Sequence, residues 1–191
     1  MITERRAVVR ARARGDAFRA ISVAERSLSA ERRQWIGLAI VALATVGADQ
    51  LTKHVVASSV RLDTAVKVIG PFSIHHVQNS GIAFGLFSSA TAGVIVLTTV
   101  AVAWMLLFFA RSGARHPALP VALGLLIGGS VSNLVDRVRL GYVTDFLDFR
   151  WWPAFNLADT SIVVGVAVLL GSLLLSDRSP RRRADSSTPR P

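Results

Sequence analysis

The chain has 191 residues, 51% of them hydrophobic, with a mean hydropathy of +0.46 and a formal net charge of +10. It is too apolar for an ordinary soluble domain, and its length suits one small multi-span membrane domain rather than two. Cysteine is absent, which excludes a thiol nucleophile, a disulfide framework and a cysteine-ligated metal.

The positive charge is not spread as a nucleic-acid surface would be. Nine arginines lie in residues 1–34, two between 110 and 116, and five after 177. These clusters flank apolar runs, as the positive-inside rule describes. Nucleic acid is therefore not expected as a partner.

Residues 1–34 read as a basic, poorly ordered cytoplasmic arm, followed by a four-span membrane domain over 35–176 and a disordered basic cytoplasmic tail over 177–191. Span one covers about 35–58 and carries Asp49, Gln50 and Lys53 near its end. Asp49 and Lys53 are four apart and share a helix face. They form either a local ion pair at the membrane edge or a polar face turned into the bundle, and both readings stay open. The connection RLDTAVKVIGPFSIHHV is rich in Val, Ile and Phe and is punctuated by Gly70-Pro71, so it reads as short strands around a turn. In a strand the adjacent His75 and His76 would point to opposite faces, a poor metal site. Asn79 and Gly81 read as turn-formers, since both tolerate a positive φ.

Span two, about 90–110, carries no charge and reads as scaffold. Span three, about 117–135, holds Gly124 and Gly128, a small-xxx-small pair extended by Ser132 that suits close helix approach. Its end turns polar: Asn133, Asp136 and Arg137 lie three and four apart on one face. In the second long connection, Trp151-Trp152 suit a membrane-interface belt. Span four covers about 158–175. Four such spans fit a hydrocarbon core of ~30 Å. The even number puts the basic arm, the 110–116 loop and the tail on one side, the cytoplasm, so both long connections face outward.

The chemistry concentrates in NLVDRVRLGYVTDFLDFRWWPAFNLAD, residues 133–159. Ionisable groups at a membrane edge are paired or used. Asp145 and Asp159 read as two carboxylates that share one proton and activate water. Asp148 would share the face of Asp145 in a helix and oppose it in a strand. Asp136, with Arg137 beside it, reads as structural. Asp159 also has a purely structural reading. Asn156 followed three residues later by Asp159, just before an apolar run, is a capping-box pattern, and a helix N-terminus favours a negative charge there. Capping and catalysis are compatible, and together they leave Asp145 to carry the proton. A proton relay in a transporter is the rival class, but it needs acids near mid-bilayer, whereas these cluster at one surface.

From Trp35 to Leu175 the chain resembles the bacterial lipoprotein signal peptidases (signal peptidase II). Asp49-Gln50 with Lys53 is similar to that family's D-Q-x-x-K, and Asn79-Ser80-Gly81-Ile82-Ala83-Phe84 to its N-x-G-x-A-F. Gly128-Gly129 with Asn133-Leu134-Val135-Asp136-Arg137 is similar to G-G-x-x-x-N-L-x-D-R. Gly141 to Phe146 and Phe155 to Asp159 are similar to G-x-V-x-D-F and F-N-x-A-D. The resemblance implies a membrane α-helical fold of four transmembrane helices with a small extracytoplasmic β-cradle and a short outer helical segment. It implies an aspartic endopeptidase of the bacterial cytoplasmic membrane, active near the outer face on diacylglyceryl-prolipoproteins in the lipid phase, without metal or cofactor; a monomer is the expected state. It makes Asp145 and Asp159 the catalytic pair and gives Asn79, Gly81, Asn133, Arg137 and Asn156 to substrate binding or bracing. Asp49, Lys53 and Asp136 become structural polar residues. Two departures stand out: the pair is separated by only 13 residues, 146–158, and the basic arm is longer than the family needs.

Overall fold

The computed structural model describes residues 30–81, 91–112 and 117–177. The basic arm up to residue 29, Ile82-Ala83-Phe84, the loop basic residues Arg115 and His116, and the tail from 178 lie outside the described residues. Four long helices carry the fold: α1 (Arg32–Ser59), α2 (Thr91–Ser112), α3 (Leu119–Leu140) and α4 (Leu157–Asp177). All four are long and apolar enough to cross a membrane. Between α1 and α2 lie β1 (Ala65–Ile69) and β2 (Phe72–Asn79). Between α3 and α4 lie β3 (Val143–Phe149) and β4 (Trp152–Phe155). The strands form one antiparallel sheet in the order β1-β2-β3-β4. Both long connections therefore meet at one end of the bundle, as the charge pattern requires. The outer helical segment that the resemblance implies falls on none of the described residues, whose connections hold strands and turns.

Helix α3 is the central post. It packs against each of the other three helices, and its glycines explain how closely. A Cβ on Gly124 would come within 2.7 Å of Val41 Cβ, and one on Gly128 within 2.7 Å of the Ala42 carbonyl oxygen, so α1 crosses at backbone contact. On another face, Gly129 of α3 and Gly165 of α4 let those two helices meet in the same way, with Ala158 O and Ala122 O at 2.5 and 2.8 Å from the added carbons. In a bilayer no hydrophobic gradient drives helices together, so such close packing is a main source of cohesion. At the end away from the sheet, Leu38, Phe109, Leu119, Leu123 and Ile127 form a buried cluster, with Trp35 edge-on to Phe109 at 4.9 Å. There the Ala30 N–H donates to Ala110 O, so α1 begins beside the end of α2.

Span three is longer than its apolar run suggests. The polar residues after Val131 look like an exit from the membrane, but α3 continues to Leu140 and stops at Gly141, whose φ of +83° gives a left-handed cap. The helix continues because Ser132, Asn133 and Asp136 all face inward and are buried.

The sheet contains one irregularity that matters. Ile74 pairs with Leu147, yet Val77 pairs with Asp145, so β2 holds one residue more than β3 across that interval. This β-bulge at His75-His76 reverses the alternation of β2. Beyond it, Val77 and Asn79 lie on the same face as Asp145; without it, Asn79 would point away. The bulge breaks the simple alternation at the two histidines, which take different partners. The His75 ring lies 3.2 Å from Asp148, and buried His76 bonds Val60 O at 2.9 Å.

Candidate active site

Asp49, Lys53, Asn133, Asp136, Asp145, Asn156 and Asp159, with Asn79 beside them, are drawn to the junction of α1, α3, α4 and the sheet. Asp145 comes from β3 and is 2% exposed. One of its oxygens accepts from Asn79 Nδ2 at 2.9 Å and the other from Asn156 Nδ2 at 2.7 Å. Asp159 stands in the first turn of α4. One of its oxygens accepts from Asn133 Nδ2 at 2.8 Å, the other from the Asn156 backbone N–H at 3.2 Å. The Asp159 N–H in turn donates to Asn156 Oδ1 at 2.9 Å. That reciprocal pair is the capping box read from the sequence. Asn156, fully buried, thus touches both carboxylates.

The orientation of each amide follows from its neighbours. Lys53 can only donate, and its Nζ lies 2.8 Å from Asn133 Oδ1. The Asn133 Nδ2 must therefore face Asp159. Likewise the Asp159 N–H can only donate to Asn156 Oδ1, so the Asn156 Nδ2 faces Asp145 and Asn133 Oδ1, the latter at 3.1 Å. The two carboxylates are met by donors whose directions are fixed.

Beneath this layer lies a second, buried one. The Lys53 ammonium is 2.7 Å from Asp49 Oδ2 and 2.8 Å from Asp136 Oδ2. Asp49, fully buried, also accepts from Ser132 Oγ at 2.7 Å and from the Ala158 N–H of α4 at 2.8 Å. Asp136 accepts from Gln50 Nε2 at 2.7 Å. Both readings of the Asp49–Lys53 pair hold: the two residues form a local ion pair, and the face that carries them is turned into the bundle. Among the described residues no ion pair joins Asp136 to Arg137, since adjacent helical residues point in different directions. Arg137 instead donates to Gly81 O at 2.8 Å, and Gly81 N–H donates to Asn79 Oδ1 at 3.0 Å. Asp148 lies on the opposite face of β3 from Asp145, with His75. Sequence reasoning missed Ser132, which it took only as a small packing residue. Its place one turn below Asp136, with Gln50 on the facing helix, was the available signal.

A cavity of about 530 Å³ opens onto this site. Asn79, Asn133, Arg137, Asp145 and Asp159 line its polar floor, while Trp152, Phe155, Ile162 and Val163 are among its apolar walls. Burial pushes Asp145 up to about 6. Hydrogen bonds from Asn79 and Asn156 and the Lys53 charge oppose that, and the Asp159 charge reinforces it.

This architecture is shared with solved proteins. A bacterial membrane enzyme determined by the in meso method at 2.3 Å superposes with a TM-score of 0.73 at 26% identity, covering 83% of this chain and 98% of that one. A second, at 1.9 Å, gives 0.67 at 28% identity, covering 76% and 96%. Fold and site thus define a multi-pass membrane enzyme. The model of the family Signal peptidase (SPase) II matches residues 41–175. A lipoprotein signal peptidase of Symbiobacterium thermophilum is 40% identical over 144 residues, 73% of this chain and 95% of that protein. One of Nitratidesulfovibrio vulgaris is 37% identical over 164 residues, 81% and 97% of the two chains. The chain belongs to the signal peptidase II family and is a membrane peptidase.

Proposed function

We propose that this protein removes the signal peptide from diacylglyceryl-modified prolipoproteins, cutting before the lipidated cysteine with a water activated by Asp145 and Asp159. The observation that carries the reading is Asn156, which touches the carboxylates of Asp145 and Asp159, both of which line the floor of a cavity with apolar walls. A floor that handles protons under apolar walls suits a peptide whose neighbouring residue carries acyl chains.

The raised Asp145 holds the shared proton, while Asp159, at the N-terminus of α4, carries the charge. Asp159 takes a proton from water as the water oxygen attacks the scissile carbonyl carbon. Asp145 gives its proton to the carbonyl oxygen, leaving a neutral tetrahedral diol. On collapse the C–N bond breaks, Asp159 protonates the leaving cysteine nitrogen and Asp145 recovers a proton from a hydroxyl. The pair ends as it began, and it titrates as a unit. Asn79, Asn133 and Asn156 hold the carboxylates, and Arg137 and Gly81 brace the wall. No metal or cofactor takes part, and nucleic acid is no partner. The enzyme sits as a monomer in the bacterial cytoplasmic membrane, with both termini in the cytoplasm and the sheet end outward.

The test is cleavage by purified protein of a prolipoprotein offered with and without its diacylglyceryl group, beside Asp145→Asn and Asp159→Asn. Cleavage of the lipidated form alone, abolished in both folded variants, is expected. Turnover by either variant would refute the catalytic pair.

A further inference from the structure

The sheet ends in two hairpin turns that lie side by side. Phe72 pairs with Phe149 and Phe149 with Trp152, so the β1–β2 turn at Gly70-Pro71 and the β3–β4 turn at Arg150-Trp151 share one tip. Gly70 has φ +52°, the positive value that a two-residue hairpin turn needs at its first position. At this tip Val68, Ile69, Trp151 and Trp152 are 56%, 73%, 74% and 58% exposed. Contiguous exposed apolar surface of this kind marks an interaction site rather than a water-facing one.

The charges name the partner. From Thr64 to Phe72 and from Phe149 to Pro153 the chain holds two cations, Lys67 and Arg150, both exposed, and no acid. Indole rings, a branched aliphatic and flanking cations are the composition of a lipid headgroup boundary. The chain's own helices already fix it in a bilayer. Arg150 is five residues along β3 and its turn from Asp145, which places the tip about 16 Å from the carboxylates.

We propose that this hairpin tip is a second membrane anchor, dipping Ile69 and Trp151 into the headgroup region of anionic lipid. The sheet then lies along the bilayer surface instead of standing up from it. Its cavity-lining face and the membrane form two sides of one lateral entrance. The anchor rests on the four spans and the tip geometry alone and stands independently of the peptidase mechanism.

The test uses the full chain in vesicles of phosphatidylcholine and phosphatidylglycerol with brominated acyl chains. Trp151 is left as the only indole by Trp35→Phe, Trp104→Phe and Trp152→Phe. Bromines near the headgroup end should quench its emission about two-fold, and aqueous acrylamide should have little effect. Lys67→Glu with Arg150→Glu should weaken that quenching and remove its dependence on phosphatidylglycerol. Because the chain lacks cysteine, Ile69→Cys carrying a nitroxide gives a second reading with every tryptophan in place, and its relaxation should respond to oxygen more than to a water-soluble nickel complex. Strong acrylamide quenching with nickel access would place the tip in water and overturn the proposal. So would shielding that varies with the protein-to-lipid ratio instead of the bromines, which would make the cover a second copy of the chain.

Discussion

Replacing Lys53 by methionine removes one cation from between two carboxylates while keeping most of the side-chain volume. Lys53 is 4% exposed, Asp49 is fully buried and Asp136 is 4% exposed. At contacts of 2.7 and 2.8 Å, each attraction amounts to about 6 kcal/mol at an effective dielectric near 20. Desolvation of the three ions offsets most of that. What remains after deleting one partner is a loss of about 3–5 kcal/mol, because the carboxylates stay buried without their cation. Among the described residues Asp136 Oδ2 accepts no hydrogen bond, so the ion pair is what offsets its charge. Asn133 also loses the donor that fixes its amide, so Asp159 loses a directed partner. On a scale of ~2–4 °C per kcal/mol, thermal denaturation in detergent should show a midpoint lower by about 10 °C. The triple variant Lys53→Met, Asp49→Asn, Asp136→Asn should recover part of that loss, since it removes the stranded charges as well. A single variant within about 1 kcal/mol of wild type, or a triple variant no better than the single, would refute the reasoning.

Gly129→Ala puts a carbon 2.5 Å from Ala158 O and 2.9 Å from Ile162 Cγ1. It should push the first turn of α4 outward, with a stability loss of about 1–3 kcal/mol and a fall in cleavage of about 100-fold; Gly141→Ala, strained only by its φ of +83°, should lose about 1 kcal/mol and remain active. Asn156→Ala removes the cap and the Asp145 donor together, so it should lose about 1–2 kcal/mol and show a kcat deficit well beyond what its fraction folded explains. For Asp145, raised from 3.8 to about 6, the folded protein binds the proton more tightly than the unfolded chain. Stability should therefore be unaffected by the shift below pH ~4, fall by up to about 3 kcal/mol as pH rises from ~4 to ~6, and stay lower above that. Denaturation across this range, wild type against Asp145→Asn, should show that slope only in wild type, and cleavage should decline as pH rises past the proton's loss.

The helices were legible because long apolar runs have few alternatives, and the capping box because Asn156 and Asp159 are local in sequence. Asp145 and Asp159 stand out in the sequence by residue type, position and the family resemblance, and both meet Asn156 in the fold. What could not be read was how they are held. The Asn133 amide is oriented by Lys53, 80 residues away, and Asp49 receives the Ala158 N–H from the far end of the chain. Such pairings depend on which helix faces cross, and four polar residues on a span look the same whether they exit the membrane or face another helix. This is why span three reads five residues short. The β2 bulge was equally hidden: SIHHVQN alternates plausibly in either register, and only pairing with β3 shows that one residue is extra.

The bond from Asp49 to the Ala158 N–H also orders events during synthesis. The residues that complete the site arrive from the first span, the first hairpin, the third span, the second hairpin and finally the fourth span. Asp49 waits with an unfilled acceptor until the last helix docks its N-terminus against the first. A chain still lacking α4 holds Asp145 but neither Asp159 nor the N–H that Asp49 is placed to receive. Assembly therefore ends with the step that brings Asp145 and Asp159 onto the same Asn156.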